Sequence, residues 1–356
     1  MATALPGGRF LDDLQYLRHF WHPVCTLQEL DRARVGGPVG VRLLDQPLVI
    51  ARLGERVVAL DDRCAHRSAK LSLGRVENGE IQCPYHGWSY GADGVCTRIP
   101  SCPGLQIPGK ARVARHECEV RYGIVWVRLD GSYGITSIPY FSAAADARFR
   151  LAMDEPYTWA TSAGRRWENY TDLAHFAFVH PVTLFDPAYP VPPIVPVDRV
   201  GGQLRWSYSP PRDIVDVMDK MSNMGPASYR CTMPFTVNLE YERFVDGTRS
   251  VLWMTSSPLD ARNCRSFFIL AREVDKEGSD VPYLEFQHRV LREDRPVIES
   301  QTPAEIDSHE LSVPTDKVSM QYRRWLRELE VAAREGQEAF AACLMSDRLD
   351  PSRAQA

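Results

Sequence analysis

The sequence predicts an α+β protein in which an all-β domain precedes a domain of mixed strands and helices. Short runs rich in Val, Ile and Leu lie at residues 41–53, 56–60 and 124–129, and turn-forming residues separate them, as in strands joined by tight turns. After a small, polar stretch at residues 142–150, helical periodicity alternates with strand-like segments. We therefore predict one domain over residues 15–140 and a second over residues 141–356.

The composition is that of an ordinary globular protein. Of 356 residues, 44% are hydrophobic and 25% are charged, and no run approaches the ~18 apolar residues of a membrane span. The 42 basic and 46 acidic residues give a net charge of -4, which predicts neither nucleic acid nor membrane as a partner. The first ten residues lack a signal-peptide pattern, which predicts a cytoplasmic protein whose nine cysteines are thiols or metal ligands.

The first metal pattern pairs one thiol with one imidazole on each of two segments, as Cys64 with His66 and Cys83 with His86. Zinc is one interpretation, because two Cys and two His form closed tetrahedral sites. Zinc modules usually keep the two thiols together, however, whereas a Rieske [2Fe-2S] cluster takes two thiolates on one iron and two imidazoles on the other. The alternating order here favours the Rieske cluster over zinc.

The second metal pattern lies in the segment WENYTDLAHFAFVHP, residues 167–181. Its periodicity predicts a helix over residues 167–179, on which Asn169, Asp172 and His175 share one face. His180 follows five residues later, and Pro181 disfavours αR geometry at His180, so that its side chain can turn back towards His175. Two converging imidazoles are typical of a non-haem iron(II) facial triad.

A facial triad also needs a carboxylate. The predicted helix at residues 283–298 has a periodic apolar face, and Asp294 falls where that period calls for an apolar residue. An inward-facing acid must be paired or metal-bound, so Asp294 is our third predicted ligand, and its neighbour Glu293 is placed off that face. Asp172 is an alternative ligand, although it stands only three residues before His175. Pro296 either kinks this helix or starts a second one.

With both patterns present, the chain resembles the Rieske non-haem iron oxygenases over nearly its whole length. The resemblance implies an all-β Rieske [2Fe-2S] domain followed by a helix-grip (START/Bet v 1-like) catalytic domain with a mononuclear non-haem iron. The family motif N-x-x-D-x-x-H-x-x-x-x-H corresponds to Asn169, Asp172, His175 and His180. It implies that Asp172 links the cluster histidine of one subunit to the iron histidine of its neighbour in a head-to-tail trimer.

Four fragments resemble the methylxanthine N-demethylase monooxygenases more narrowly; they lie at residues 17–26, 62–74, 165–181 and 289–301. This resemblance implies O2-dependent removal of an N-methyl group, through a hemiaminal that collapses to the secondary amine and formaldehyde. It also implies that NADH supplies the electrons through a separate Rieske or ferredoxin reductase, because no dinucleotide-binding G-x-G-x-x-G motif is present.

Three residues are predicted to contact the substrate. Gln287 lies two helical turns before Asp294, with Leu291 between them, and a carboxamide offers both a donor and an acceptor to a purine carbonyl or ring N-H. Phe176, after the first iron histidine, is suited to pack on a planar substrate or in the core. Residues 210–228, rich in Met and charge, resemble no segment of known role.

Three other functions compete with N-demethylation. O-demethylation or methyl hydroxylation of an aromatic acid favours a basic anchor in the pocket, and none of the three predicted contact residues is Arg or Lys. A pure electron-transfer protein needs only the first domain. A non-catalytic subunit that assembles with an active homologue, in a hetero-oligomer, has no need of an intact His175, His180 and Asp294.

Overall fold

The structure is a computed structural model, and it describes residues 14–33, 37–181, 183–184, 187–210, 224–306 and 309–352. The chain divides into two compact units. One comprises the described residues of Leu17–Ile138 together with Ser257–Asp260; the other holds the described residues of Met1–Tyr16, Pro139–Ser256 and Ala261–Ala356. The predicted domains differ from these units at residues 15–16, 139–140 and 257–260. In the last of these segments the carbonyl groups of Pro258 and Leu259 accept backbone hydrogen bonds from Leu44 and Asp45.

The first unit is built from two antiparallel sheets. The six-stranded sheet has the order β1-β10-β9-β4-β3-β2, and the four-stranded sheet has the order β5-β6-β7-β8. A short helix, α1 (Leu27–Arg32), follows β1 and is capped by Thr26 and Glu29. The strands are β1 (His22–Thr26), β2 (Val39–Leu43), β3 (Gln46–Leu53), β4 (Arg56–Asp61), β5 (Arg75–Glu77), β6 (Glu80–Gln82), β7 (Ser89–Tyr90), β8 (Cys96–Arg98), β9 (Arg115–Arg121) and β10 (Ile124–Arg128).

Two loops of this unit carry the predicted cluster ligands. Cys64 and His66 follow β4, whereas Cys83 and His86 lie between β6 and β7. Both cysteines are buried in the same hydrophobic cluster. Gly87 closes the second loop, with a φ of 71° and a hydrogen bond to the Cys83 carbonyl, in a conformation that a residue with a Cβ rarely adopts.

The second unit contains an eight-stranded antiparallel sheet and several helices. The strand order is β11-β18-β17-β16-β15-β14-β13, and β12 pairs with β18. The strands are β11 (Arg150–Met153), β12 (Tyr157–Trp159), β13 (Asp198–Val200), β14 (Gln203–Tyr208), β15 (Met224–Thr232), β16 (Thr236–Arg243), β17 (Arg249–Pro258) and β18 (Cys264–Arg272); the helices are α2 (Ala163–Thr171), α3 (Phe176–Val179), α4 (Val281–Ile298), α5 (Lys317–Glu335) and α6 (Gln337–Met345).

Helix α2 lies at the centre of this unit. Every residue of α2 is buried, and Ser162 caps its first turn by accepting from the Arg165 N-H. The indole of Trp167 stacks on the ring of Tyr322 from α5, with centroids 3.7 Å apart. The buried positions of α5 recur every three or four residues, so one face of this helix is turned to the core. The predicted α+β class is therefore confirmed.

One predicted element is wrong in extent. The helix predicted over residues 167–179 ends at Thr171, and a separate four-residue helix, Phe176–Val179, follows a turn. A turn at residues 233–235 separates β15 from β16. Helix α4 continues two residues past Pro296 without starting a second helix.

In the part of the chain that the structure describes, no helix combines the length and the apolar character needed to cross a membrane. The segment 210–228, for which the sequence predicted no role, lies mostly outside the described residues.

Candidate metal centres and substrate cavity

The four residues of the first metal pattern form a thiol pair and an imidazole pair. The Cys64 and Cys83 side chains lie within hydrogen-bonding range of each other, and backbone N-H groups of Tyr85 and His86 donate to the Cys83 sulfur. The His66 and His86 rings are 4.6 Å apart between centroids, and both residues are exposed. A donor set of two adjacent thiols and two adjacent imidazoles fits a [2Fe-2S] cluster of the Rieske type.

Two aromatic residues brace this group. The Tyr90 hydroxyl accepts from the Ala65 N-H at 3.0 Å and lies 3.1 Å from the Cys64 sulfur, so its own proton is available to that sulfur. The Trp88 indole stacks on the His66 ring with centroids 4.7 Å apart and planes 2° apart. Neither contact was identified from the sequence, although both residues lie shortly after His86 in the chain.

The second metal pattern depends on a helix break at Asp172. Its backbone is extended, and its Oδ1 accepts from the Ala174 N-H at 2.8 Å, which forms an Asx turn that ends α2. The Oδ2 atom of Asp172 accepts from Nδ1 of His175 at 3.2 Å. After α3, His180 leaves helical geometry with φ -119° and ψ 47°, as expected for a residue before proline.

His175, His180 and Asp294 converge. One ligand atom from each lies within 4.8 Å of the others. Nε2 of His180 is 3.0 Å from Oδ1 of Asp294, and Nε2 of His175 is 3.5 Å from the same oxygen. Two imidazoles and one carboxylate on one side of an open cavity form the donor set that non-haem iron(II) takes in a facial triad.

The three groups influence one another electrostatically. Burial raises the pKa of Asp294, but its hydrogen bond with His180 and the charge of Arg166 outweigh burial, and the net pKa is lowered. Burial also lowers the pKa of His180, and the hydrogen bonds with Asp294 and Glu293 outweigh it, so that this pKa is raised. The site therefore favours an ionised carboxylate, which is the form that binds a metal.

Each imidazole is held through its Nδ1 by a second carboxylate. Asp172 serves His175, and Glu293 accepts from His180 at 2.7 Å. The sequence placed Glu293 off the apolar face of α4, and it gave no sign that Glu293 and Asp294, two consecutive residues of this helix, contact opposite nitrogens of the His180 ring. The one sequence feature that could have pointed to this contact is the position of Glu293 next to the predicted ligand Asp294.

Asn169 and Arg166 hold Asp294 from the α2 side. The Asn169 amide donates to Oδ1 of Asp294 at 3.0 Å, and the Arg166 guanidinium lies 3.6 Å from Oδ2. Arg166 also donates to the Asn169 side-chain oxygen. The sequence identified Asn169 but not Arg166, because an arginine on a fully buried helix is unexpected from composition alone.

A cavity opens beside these groups. Its walls are mainly apolar, and Gln287 and Phe176 are among the residues that line it, but Leu291 is not, although it is buried. Arg166 and Arg243 also line it, two basic residues that were not among the three predicted contact residues. The other lining side chains are Asn169, Tyr170, His175, His180, Leu184, Met224, Leu239, Tyr241, Ser250, Leu252, Met254, Phe268, Leu270, Tyr283, Phe286, Val290 and Asp294.

A second concavity reaches the same centre from another side. Asp172, His175 and Asp294 line it, together with the Arg323 and Glu310 side chains. Arg323 pairs with the buried Glu168 at 2.5 Å and with Glu310 at 2.8 Å. The group formed by His175, His180 and Asp294 is therefore reached both from the apolar cavity and from a charged surface.

Comparison with known proteins identifies the family. Residues 20–109 match the Rieske [2Fe-2S] domain, and residues 159–332 match the vanillate O-demethylase oxygenase C-terminal domain. Methylxanthine N1-demethylase NdmA of Pseudomonas putida is 50% identical, over 96% of this chain and 97% of the relative. The chain belongs to the Rieske oxygenase family. Methylxanthine N3-demethylase NdmB of the same organism is 49% identical, over 96% of this chain and 97% of its own length.

Solved structures agree with this assignment. NdmA of Pseudomonas putida CBB5 with caffeine superposes with a TM-score of 0.92 at 50% identity, covering 96% of this chain and 98% of that one. Dicamba monooxygenase bound to dicamba, at 21% identity and a TM-score of 0.74, shares the fold. This Rieske oxygenase is thus an oxidoreductase, and its family implies an iron-sulfur cluster and a non-haem iron.

Proposed function

We propose that this chain is the oxygenase component of an N-demethylase that acts on a methylxanthine-like planar heterocycle. One atom of O2 enters an N-methyl C-H bond, and the other becomes water with two electrons from NADH. The products are the secondary amine and formaldehyde. The single observation that carries the proposal is the convergence of His175, His180 and Asp294 beside a mainly apolar cavity.

The proposed cofactors are a [2Fe-2S] cluster and one Fe(II). Cys64, His66, Cys83 and His86 would hold the cluster, and His175, His180 and Asp294 would hold the iron. When bound, the two groups supply electrons and activate dioxygen. Asp172 and Glu293 orient the imidazoles, and Asn169 fixes the carboxylate through its amide.

The cavity residues suit a flat, weakly polar substrate. Leu239, Leu252 and Val290 offer apolar walls that exclude water, and the Gln287 carboxamide can both donate to and accept from a ring substituent. Phe176, buried and in the lining, can pack on one face of a planar ring. Leu291 follows Val290 on α4 and is buried, but it does not line the cavity, so we do not place it in contact with the substrate.

Electron supply is proposed to come from outside the chain. A separate Rieske or ferredoxin reductase passes electrons from NADH to the cluster, and Asp172 carries them to His175 from the cluster of a neighbouring subunit. This arrangement requires a homotrimer or a hetero-oligomer with a related oxygenase subunit. The support is that Asp172 lines the charged concavity and contacts the His175 ring.

The direct test is formaldehyde release. The purified protein, supplied with a reductase and NADH, is incubated in air with caffeine, theobromine or theophylline, and formaldehyde and the demethylated xanthine are quantified together. We expect both products in equal amounts from at least one substrate, and none from an Asp294→Ala variant. Because the N1- and N3-demethylases are almost equally similar to this chain, product identification assigns the methyl position. No formaldehyde from any N-methyl compound would refute the proposal.

A second candidate is demethylation or methyl hydroxylation of an aromatic acid. Arg243 lines the cavity and favours it, because a guanidinium recognises a carboxylate. Including methoxybenzoates and methylbenzoates in the same panel separates the two functions. Turnover of the acids without turnover of methylxanthines would establish the second candidate in place of the first.

A further inference from the structure

The Glu293 side chain contacts a predicted iron ligand without lining either cavity. We propose that Glu293 is a positioning residue that holds His180 in its metal-binding orientation and thereby sets the iron affinity of the site. This inference rests on the proposed function, since it requires that the site binds Fe(II).

The contact fixes both oxygens of the carboxylate. Oε2 of Glu293 accepts from Nδ1 of His180 at 2.7 Å, and Oε1 accepts from the Thr183 hydroxyl at 2.9 Å. Thr183 is itself buried and lies three residues after His180, in a turn where the Leu184 N-H donates to the His180 carbonyl. The carboxylate is thus oriented by the same short segment that carries the imidazole.

Two consecutive residues of helix α4 contact the His180 imidazole. Glu293 contacts Nδ1 and Asp294 lies 3.0 Å from Nε2, so the ring lies between the two carboxylates. Successive side chains of an α-helix differ in direction by about 100°. Glu293, which orients the His180 imidazole, is therefore adjacent on the helix to Asp294, which would bind the same metal ion as His180.

The two predicted iron histidines are held differently. His175 receives its carboxylate from Asp172, three residues before it, and its side chain is 15% exposed. His180 receives its carboxylate from another helix, and its side chain is 1% exposed. Asp172 lines the charged concavity, whereas Glu293 lines neither concavity. Glu293 is therefore placed to affect metal binding rather than substrate or electron entry.

The expected size of the effect follows from the chemistry of such partners. A carboxylate that accepts from a ligating imidazole fixes the tautomer, presents Nε2 to the metal and raises its basicity; removing one typically costs roughly 10–100-fold in metal affinity. Glutamine keeps a hydrogen-bond acceptor but loses the charge, and leucine loses both. Iron affinity should fall in the order wild type, Glu293→Gln, Glu293→Leu.

The test measures Fe(II) binding directly. Cluster-containing protein is stripped of mononuclear iron under anaerobic conditions, and its Fe(II) dissociation constant is determined by competition with a chromogenic chelator. We expect roughly 10-fold weaker binding for Glu293→Gln and up to about 100-fold for Glu293→Leu. The matched control is Glu285→Gln, the same charge change at an exposed position of the same helix, with affinity equal to wild type.

A second readout separates positioning from a merely structural role. Excess Fe(II) should restore most of the turnover of Glu293→Gln, and its unfolding midpoint and cluster absorbance should match the wild type. Wild-type affinity in Glu293→Gln, or lost turnover that Fe(II) does not restore, would overturn the inference. Absence of Fe(II) binding in the wild type would instead refute the proposed function.

Discussion

The Arg166 guanidinium lies 3.6 Å from Oδ2 of Asp294, and both side chains are buried, at 1% and 7% exposure. The other oxygen of Asp294 accepts from the Asn169 amide at 3.0 Å. A buried carboxylate is stable only when it is paired or bound to a metal. Arg166 therefore neutralises Asp294 while leaving Oδ1 directed at the two imidazoles.

Replacing Arg166 should destabilise the catalytic domain. In Arg166→Met, Asp294 would keep a buried charge without its cationic partner, and the guanidinium contacts to the Trp159 and Tyr170 rings, each at 4.0 Å, would be lost. We expect the free energy of unfolding to fall by about 3–5 kcal/mol, measured by denaturant titration without Fe(II). Arg292→Met, at an exposed position of α4, is the control. A loss below ~1 kcal/mol would contradict the pairing.

Asp172→Asn should separate electron transfer from metal binding. Asparagine keeps an oxygen for the Ala174 N-H and so preserves the Asx turn. With Fe(II) in excess, we expect the cluster and the mononuclear iron to remain bound and the cluster to be reduced normally, while NADH-coupled turnover is nearly lost. Iron analysis and single-turnover product formation from reduced protein measure the two effects. Unchanged turnover would remove the relay role of Asp172.

Tyr90→Phe should lower the reduction potential of the cluster. The Tyr90 hydroxyl can donate to the Cys64 sulfur, and a hydrogen bond to a cluster sulfur stabilises the reduced form. A hydrogen bond worth about 1 kcal/mol corresponds to roughly 40 mV for one electron. Protein-film voltammetry measures the shift. Tyr85→Phe, whose hydroxyl is in an exposed residue, should leave the potential unchanged, and equal potentials in Tyr90→Phe and wild type would contradict the prediction.

His22 should make the first unit less stable in acid. Burial lowers the pKa of His22 from 6.5 to about 4, despite the hydrogen bond to the Leu17 carbonyl. In the unfolded chain the His22 imidazole is protonated below pH 6.5, whereas in the folded chain it stays neutral until about pH 4. The contribution of His22 to the free energy of unfolding is therefore constant above pH 6.5 and falls as the pH drops from 6.5 to 4. The loss from this residue is about 3 kcal/mol at pH 4.

The matched variant for this prediction is His22→Gln, which keeps an N-H donor for Leu17 and does not titrate. Denaturant unfolding of both proteins at several pH values gives the difference, in which all other ionisable groups cancel. We expect wild type to lose its advantage over the variant as the pH falls from 6.5 towards 4. A pH-independent difference would show that His22 is not buried as a neutral imidazole.

The spacing of ligands was predictable because metal chemistry restricts residue type and order more than packing does. The pairs Cys64 with His66 and Cys83 with His86 identify the cluster type, and Asp294 was found because an acid occupies an apolar position of a helix. The fold class followed from periodicity, and the family comparison confirms it. The roles of these residues remain predictions.

The contacts that depend on tertiary packing were not predictable. Asn169, Asp172 and His175 were placed on one helical face, but the Asp172 side chain bonds locally and ends the helix. Periodicity gave no sign of the Glu293 contact, since the ring of His180 approaches α4 between two adjacent residues. Helix spacing also placed Leu291 between Gln287 and Asp294, but Leu291 is buried and does not line the cavity.

The measurement that tests the account most directly is the iron and inorganic sulfide content of the purified, Fe(II)-reconstituted protein, combined with electron paramagnetic resonance after reduction. Two irons in the cluster and one in the mononuclear site predict three irons and two sulfides per chain, with a Rieske-type signal. A His180→Ala variant should lose one iron and keep the signal. Zinc in place of the cluster, or the same iron content in wild type and variant, would contradict the account.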